Sequence, residues 1–454
     1  MVSVPELDTA SPRKWRDAAD DAVAAAKQCD GLASYARDEV AGTLRTCWVG
    51  DTGKAARSRF VRHADDYEAA AVALRALARV YDDLADDIAD AQRDLHSALD
   101  YARRHDLKVD DSGRVQSTQS VMGPRGGGEH LEPVKHARDI ISAALSKATR
   151  ADIEAARTLR TIEGLTDIGD PKLVRDALKD DSPLGIALRL SGGLDGLHRI
   201  NVPPTVLAAV DRAALETGMS RKLLLAVLWQ EQQWHQNHSP SLRGPVTEFG
   251  RLFNWSLAVG PKPDKSLGIT HIKLETAREV LEKNREVFKL TDGRYMSELT
   301  DAELAAEIEA NPQLDVRLSA YHLKELKEDP YGSRSDKDLF VLYAADTPEV
   351  RELNETYGDE SGRRGGDIKT RGENWDRIEP HLEDAMAWEA LGDEERAQAV
   401  EQLKSQTPVP RDVYIEPIYS DGGPVGGVGE KDPDLGPLTP SPSPAPPPTP
   451  PAGG

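Results

Sequence analysis

The strongest constraint on the fold is an apolar stripe that repeats every seven residues early in the chain. It runs through Phe60, Tyr67, Leu74, Tyr81, Ile88, Leu95 and Ala102. Small or apolar residues follow most of these positions three residues later, as a heptad repeat requires of helices that pack along their length. An earlier stripe, with steps of three and four residues, runs from Trp15 to Val40. Together the stripes predict two long helices packed as an antiparallel hairpin.

A third amphipathic stretch, from His130 to about Glu163, predicts a helix that folds back on this hairpin and completes a bundle. We therefore assign residues 1–165 to a helical bundle. Residues 166–200 mix short helical pieces with Gly and Pro, and we expect a connector there.

Between the two stripes lies Trp48-Val49-Gly50, where Gly50 can form a tight turn and Asp51 or Thr52 can cap the second helix. Helix, Trp-x-Gly turn and helix, over about residues 10–105, resemble the WXG-type proteins that type VII secretion systems export. The resemblance implies the secretion machinery as a partner and a homo- or hetero-dimer through the N-terminal helices. The family's Tyr-x-x-x-Asp/Glu export tag is missing after the second helix. The alternative is an ordinary coiled-coil hairpin whose Trp48 plugs the end of the bundle.

The composition argues against several classes of partner. The formal net charge of −21 disfavours nucleic acid and anionic membrane surfaces. No apolar run reaches membrane length, and the first residues lack the apolar core of a secretory signal. We therefore expect no membrane span. Together with the resemblance to WXG-type proteins, the missing signal implies a secreted or cell-wall protein that uses a Sec-independent route, otherwise cytoplasmic before export. Cys29 and Cys47, if they share one helix, lie about 27 Å apart, too far for a disulfide. No His/Cys cluster has zinc spacing, so we expect no metal and no cofactor.

A second constraint is the unbroken apolar run Leu223–Trp229, which predicts a core helix with Ser220 as its N-cap. Glu231 follows on a face that it shares with core residues. A carboxyl group at the edge of a core loses hydration and tends to stay protonated near neutral pH, as a general acid must. The alternative is a solvated glutamate that simply ends the apolar run.

Two later motifs follow this helix: Ser-Leu-Gly-Ile-Thr-His-Ile-Lys-Leu-Glu-Thr-Ala at 266–277 and Leu-Tyr-Ala-Ala-Asp at 342–346. The three motifs, in this order, resemble the lysozyme-like domain of soluble lytic transglycosylases and goose-type lysozymes. The resemblance covers about residues 200–355, and we assign 201–390 to this domain with a helical extension. It implies an enzyme that cuts the β-1,4 bond between N-acetylmuramic acid and N-acetylglucosamine in peptidoglycan.

The resemblance also implies site residues. Glu231 would be the general acid, and Tyr343 would carry a hydroxyl close to it. The substrate-binding positions would be Ser266, Gly268, His271, Trp255 and Gln232. A transglycosylase needs no second carboxylate, whereas a goose-type hydrolase uses one, here Asp264, with Glu248 the weaker candidate. His271 replaces the family's Gln, Gln232 its Ser, and Ala344 its Asn. The alternative functions are a non-catalytic glycan-binding protein and a structural type VII secretion substrate.

The last segment, 391–454, begins with a short helical pattern over Glu394–Leu403. From Thr407 onward Pro and Gly dominate, which predicts a disordered tail with polyproline II character. The fold class predicted for the chain is all-α.

Overall fold

The computed structural model describes residues 2–118, 131–194, 196–237, 266–290, 293–328, 335–343, 365–406 and 413–420. Within these residues the fold is all-α, as predicted. The α-helices are α1 Val4–Thr9, α2 Pro12–Ser34, α3 Ala41–Cys47, α4 Asp51–Arg104, α5 Leu131–Gly164, α6 Pro171–Ala177, α7 Pro183–Ser191, α8 Pro204–Thr217, α9 Arg221–Asn237, α10 Leu274–Lys283, α11 Asp301–Ala310, α12 Pro312–Glu328, α13 Asp336–Leu342, α14 Gly365–Ala390 and α15 Asp393–Gln406.

The strands are short and form three two-stranded sheets. They are β1 Leu107–Val109, β2 Val115–Ser117, β3 Ile200–Asn201, β4 Ser266–Leu267, β5 Ile272–Lys273 and β6 Tyr419–Ser420. β1 pairs with β2 and β4 with β5 in antiparallel fashion, whereas β3 and β6 are parallel. Among the described residues no helix is long and apolar enough to cross a membrane. The same part of the chain holds no cluster of His, Cys, Asp and Glu suited to a metal ion.

The N-terminal hairpin forms as predicted. Its first leg is α2, a π-helical turn at Tyr35–Val40 and α3, and its second leg is the single 54-residue helix α4. Both cysteines lie in the first leg and are free, which agrees with the spacing argument. α1 was not predicted; its N-cap Ser3 and Glu6 form a reciprocal capping box.

The predicted heptad register holds in the second half of α4 but not in the first. The residues buried in the second half include Leu84, Ile88, Ala91, Leu95, Ala98 and Ala102. Nearer the turn, Phe60 and Tyr67 are 36% and 39% exposed, and alanines such as Ala64 are buried instead. α5 covers mainly the second half, since Ile162, near its C-terminal end, lines one cavity with α4 residues from Asp66 to Leu77 in the middle of that helix. Towards the turn the two legs therefore pack through small side chains, and the large ones point outward.

The hairpin turn differs from both expectations. Trp48 is 45% exposed, so it does not plug the bundle. Gly50 has an extended backbone with φ of −74°, and neither Asp51 nor Thr52 caps α4 through its side chain. The turn instead needs Gly53, where a Cβ atom would lie 2.0 Å from the Trp48 carbonyl oxygen.

The stretch 166–200, which we expected to be a connector, forms part of a core. Every residue of α7 from Leu184 to Leu190 is buried, next to Trp388 of α14, Leu403 of α15 and Ile415. The expectation that the chain is disordered from Thr407 onward is wrong for 413–420. There β6 pairs with β3, and Ile418 is fully buried.

α14 is the element that joins these parts. It packs against α7, α9 and α13, with Trp375, Ile378, Leu382 and Ala385 on its buried face. Its buried Asp384 accepts hydrogen bonds from Arg189 of α7 at 2.9 Å and from Arg157 of α5 at 2.5 Å. α14 therefore connects the N-terminal bundle to the region around α9.

Candidate active site around Glu231

The helix that carries Glu231 forms as the sequence predicts. Ser220 accepts a hydrogen bond from the backbone N–H of Leu223 at 3.1 Å, as an N-cap does. Gly218 ends α8 in the left-handed conformation with φ of +69°. Every residue from Leu223 to Trp229 is buried, and Glu231 itself is only 8% exposed. The alternative of a solvated surface glutamate is therefore wrong.

The buried Glu231 has an ion-pair partner, which α14 supplies. Nη2 of Arg371 donates to Oε1 of Glu231 at 2.9 Å, and the two side chains are 11% and 10% exposed. The Arg371 guanidinium also lies 5.2 Å from the centre of the Phe340 ring. This buried ion pair compensates part of the hydration that the carboxyl group loses on burial. Oε1 is an acceptor from Arg371, so a proton available for transfer would reside on Oε2.

Oε2 of Glu231 faces His271. His271 Nδ1 lies 3.5 Å from Oε2 of Glu231. The backbone of His271 has φ of +56°, a region that residues other than glycine seldom occupy. Such strain persists only where the surroundings enforce it, and it is frequent at functional sites. His271 ends the four-residue turn Gly268–His271 between β4 and β5, which we call the site turn.

Asp315 of α12, which is completely buried, holds the site turn in place through hydrogen bonds. Its carboxylate accepts from the Thr270 backbone N–H at 2.9 Å and from the Thr270 hydroxyl at 2.5 Å. A Cβ atom at Gly268 would lie 2.4 Å from this carboxylate, so only glycine fits there. Burial raises the pKa of Asp315 to about 7, although the hydrogen bonds from Thr270 oppose the increase.

Tyr343 helps Asp315 to hold the site turn. Its hydroxyl donates to the Thr270 carbonyl at 2.9 Å and lies 2.7 Å from Ser319 Oγ. Ser319 Oγ in turn donates to the Thr270 hydroxyl at 2.7 Å. Burial raises the pKa of Tyr343 far above its usual range, so its hydroxyl remains a donor. Tyr343 therefore contributes to the position of the site turn.

The structure thus brings together Glu231, His271, Gly268 and, indirectly, Tyr343. Trp255, Asp264, Glu248 and Ala344 lie outside the described residues. Gln232 and Ser266 are placed only by their backbone in α9 and β4.

Sequence reasoning missed the contribution of α14. Besides Arg371, it supplies Asn374, which donates to the Gln230 side chain at 2.9 Å. The signal was present, since Arg371 precedes Trp375 by four residues and so lies on the apolar face of that helix.

A second histidine lies behind α9. The ring of His198 stacks on Trp229 with 4.4 Å between centroids, and Trp229 Nε1 donates to the His198 carbonyl at 2.8 Å. Burial lowers the pKa of His198 to about 4, so it is neutral at ordinary pH. His198 therefore supports the helix and adds no charge to the site.

The assembled site is a buried carboxylate with one oxygen fixed by a guanidinium and the other turned towards an imidazole on a strained turn. Comparison of the chain with protein-family models, with curated proteins and with solved structures found no match.

Proposed function

We propose that the chain cleaves the β-1,4 bond between N-acetylmuramic acid and N-acetylglucosamine in peptidoglycan, with Glu231 as the general acid. One observation carries the proposal. Glu231, at the end of a buried apolar helix, meets the turn of a second, distant motif, with His271 Nδ1 3.5 Å from its carboxyl. General acids in glycoside cleavage are typically carboxyl groups withdrawn from water, as Glu231 is at the end of its apolar helix.

In the proposed reaction Glu231 Oε2 gives its proton to the glycosidic oxygen as the bond to the anomeric carbon breaks. The leaving sugar departs with a hydroxyl group, and the anomeric carbon develops oxocarbenium character. The Glu231 carboxylate then takes the proton from the C6 hydroxyl of the muramic residue, whose oxygen closes on the anomeric carbon. This cycle returns the proton to Glu231 and yields a 1,6-anhydro end. If Asp264 holds a water instead, hydrolysis follows.

Arg371 and the site turn would act as positioning groups in this reaction. The Arg371 guanidinium fixes the plane of the carboxylate through Oε1, which leaves Oε2 for the substrate. Asp315 and Tyr343 hold Thr270 and thereby fix His271 beside Oε2. A carboxyl group that is held in this way loses little freedom when the transition state forms.

The test is digestion of purified peptidoglycan by the parent and by Glu231→Gln, with mass spectrometry of the products. Glu231→Gln keeps the shape but removes the proton donor, so cleavage should fall by about 10²–10⁴-fold. Glu275→Gln is the control, because Glu275 is exposed on α10. Equal activity of the parent and Glu231→Gln would refute the role of Glu231. Anhydro ends would identify a transglycosylase, and reducing ends a hydrolase.

A second candidate is a non-catalytic glycan-binding protein. It is favoured by the ion pair itself, since Arg371 occupies one oxygen of the carboxylate that the reaction needs. Binding to sacculi without any release of products from the parent would support this candidate.

For the N-terminal bundle we propose a role as a secretion module recognised by a type VII-like machinery. The support is the Trp48-Val49-Gly50 turn between two helical legs. This would place the protein outside the cell or in the cell wall. Loss of export in a strain that lacks the machinery would test the role.

A further inference from the structure

The two-helix part of the hairpin, including its tip at residues 43–63, carries an unusual concentration of exposed apolar side chains. The large apolar residues exposed along 32–67 are Leu32, Tyr35, Trp48, Val49, Phe60, Val61 and Tyr67. Val49, at the apex, is 77% exposed, and Trp48 beside it is 45% exposed. Large side chains in the two-helix part of the hairpin face outward because alanines fill the contact between the legs. Such a patch usually marks an interaction site.

The same tip is basic in a chain that is otherwise strongly acidic. Residues 43–63 contain five Lys and Arg and one Asp, a formal charge of +4, whereas the whole chain carries −21. Arg45, Arg59 and Arg62 are exposed. Among the described residues none of these three makes an ion pair or a side-chain hydrogen bond. Most other arginines of the described chain have an acidic partner. The guanidinium groups of the three tip arginines are therefore available to pair with an anionic ligand.

Arg57 fixes the conformation of the tip through hydrogen bonds across the turn. Its guanidinium donates to the carbonyl oxygens of Leu44 at 3.1 Å and of Trp48 at 2.8 Å. These bonds tie the end of α3 to the start of α4, and close packing of Gly53 against Trp48 fixes the turn between them. The backbone that carries the apolar apex and the surrounding arginines therefore has a fixed conformation before a partner binds, and binding costs little conformational entropy there.

We propose that the hairpin tip docks end-on to a bilayer that contains anionic phospholipid. Trp48 and Val49 would enter the interface between head groups and acyl chains, where an amphipathic indole is favoured. Arg45, Arg59 and Arg62 would pair with lipid phosphates. The exposed apolar apex distinguishes this ligand from nucleic acid, whose phosphates offer no apolar layer to receive Val49. The inference does not depend on the proposed enzymatic function.

The net charge of the chain does not prevent this docking, although it led us to expect no anionic membrane partner. Beyond Arg62, the first acidic side chains of α4 are Asp65, Asp66 and Glu68, and Asp38 and Glu39 precede Arg45 on the first leg. Asp65 and Glu68 are already paired with Arg37. An end-on approach therefore brings most of the positive charge of residues 43–63 closer to the membrane than these acidic groups.

The experiment is flotation of the full chain with vesicles of phosphatidylcholine, with and without about 30% phosphatidylglycerol, at about 0.15 M salt. The parent should float with the anionic vesicles and not with the neutral ones. The variant R45Q/R59Q/R62Q should lose on the order of 100-fold in partition coefficient, since each cation near an anionic surface contributes about fivefold.

A matched control removes the same charge elsewhere. R13Q/R93Q/R103Q changes three arginines whose side chains are 89%, 74% and 77% exposed, away from the tip. It should bind as the parent does. Val49→Asp places a charge at the apex without touching a packed residue, and it should also abolish flotation.

Several results would overturn the proposal. They are no flotation of the parent, an equal loss in the tip variant and the control, equal flotation with neutral vesicles, or equally tight binding to duplex DNA. Circular dichroism of each variant checks that the helices are intact.

Discussion

Arg371 and Glu231, 140 residues apart in sequence, form a hydrogen-bonded ion pair of 2.9 Å with both side chains nearly buried. The pair joins α14 to the end of α9 and fixes the oxygen of Glu231 that does not face His271. Removing one member of such a pair leaves an uncompensated charge, so the consequences should reach both stability and activity.

Arg371→Gln should therefore lower the free energy of unfolding by about 3–5 kcal/mol. Under the proposed function, cleavage of peptidoglycan should fall roughly 10- to 100-fold, because the carboxyl group loses its orientation. Urea unfolding and product release measure the two effects.

Arg371→Lys and the double variant E231Q/R371Q serve as controls. The lysine keeps the charge and should recover part of the stability, and the double variant should be more stable than Arg371→Gln alone. A rise in cleavage in Arg371→Gln would show that the ion pair silences Glu231 and does not position it.

The pH dependence of stability should contain a contribution from Asp315. Its pKa of about 7 in the folded protein lies above its ordinary value of 3.8. Between these values the folded state holds a proton that the unfolded state has released. Stability from this group is therefore complete below about pH 4, falls as the pH rises towards 7 and is constant above it. The expected change is about 2–4 kcal/mol.

Asp315→Asn removes this titration, so the stability difference between the parent and the variant should depend on pH across that window. The difference also cancels the opposite trend of His198, whose pKa of about 4 makes folding less favourable as the pH falls below 6.5. Glu275→Gln should leave the profile of the parent unchanged. A pH-independent difference for Asp315→Asn would show that Asp315 keeps one charge state throughout.

Sequence patterns predicted the individual helices of this fold better than they predicted which helices pack against each other. The core helix at Leu223–Trp229, its caps and the hairpin follow from local periodicity, which acts within one helix. The register near Phe60 was wrong because periodicity does not reveal where a third helix stops. Arg371 was missed because a charged residue on an otherwise apolar face is assigned a partner only when the facing helix is known. The short β3–β6 pairing, formed by two residues on each strand, was beyond any local signal.

The C-terminal segment should divide into a part that stabilises the fold and a part that does not. Deleting 413–454 removes β6 together with Ile415, Ile418 and Tyr419, which are 3%, 0% and 3% exposed. Each buried apolar side chain of this size contributes about 1.5–3 kcal/mol, so the melting temperature should fall markedly. Deleting only 421–454 should leave it unchanged, because a Pro/Gly-rich sequence has little apolar surface to bury. Thermal unfolding of the two truncated chains tests this, and equal melting temperatures would show that β6 contributes nothing.

Asp384 should be the most sensitive single position in the contact between the N-terminal bundle and α14. Its carboxylate bonds Arg189 at 2.9 Å and Arg157 at 2.5 Å, and its side chain is 6% exposed. Asp384→Asn leaves two arginines without their shared anion, and the expected loss is about 3–5 kcal/mol. Glu383→Gln is the matched control, since the neighbouring Glu383 side chain is 43% exposed and should cost under about 1 kcal/mol.

The two variants also report on whether the parts of the chain unfold together. If Asp384 couples α5 to α14, Asp384→Asn should split a single urea transition into two, and the bundle should remain helical after the region around α9 has unfolded. Circular dichroism at 222 nm follows both parts, and tryptophan fluorescence follows the region around α9 when Trp15 and Trp48, the two tryptophans of the bundle, are replaced by Phe in all variants. Coincident transitions in Asp384→Asn, with stability equal to that of Glu383→Gln, would show that apolar contacts and not this buried carboxylate hold the two parts together.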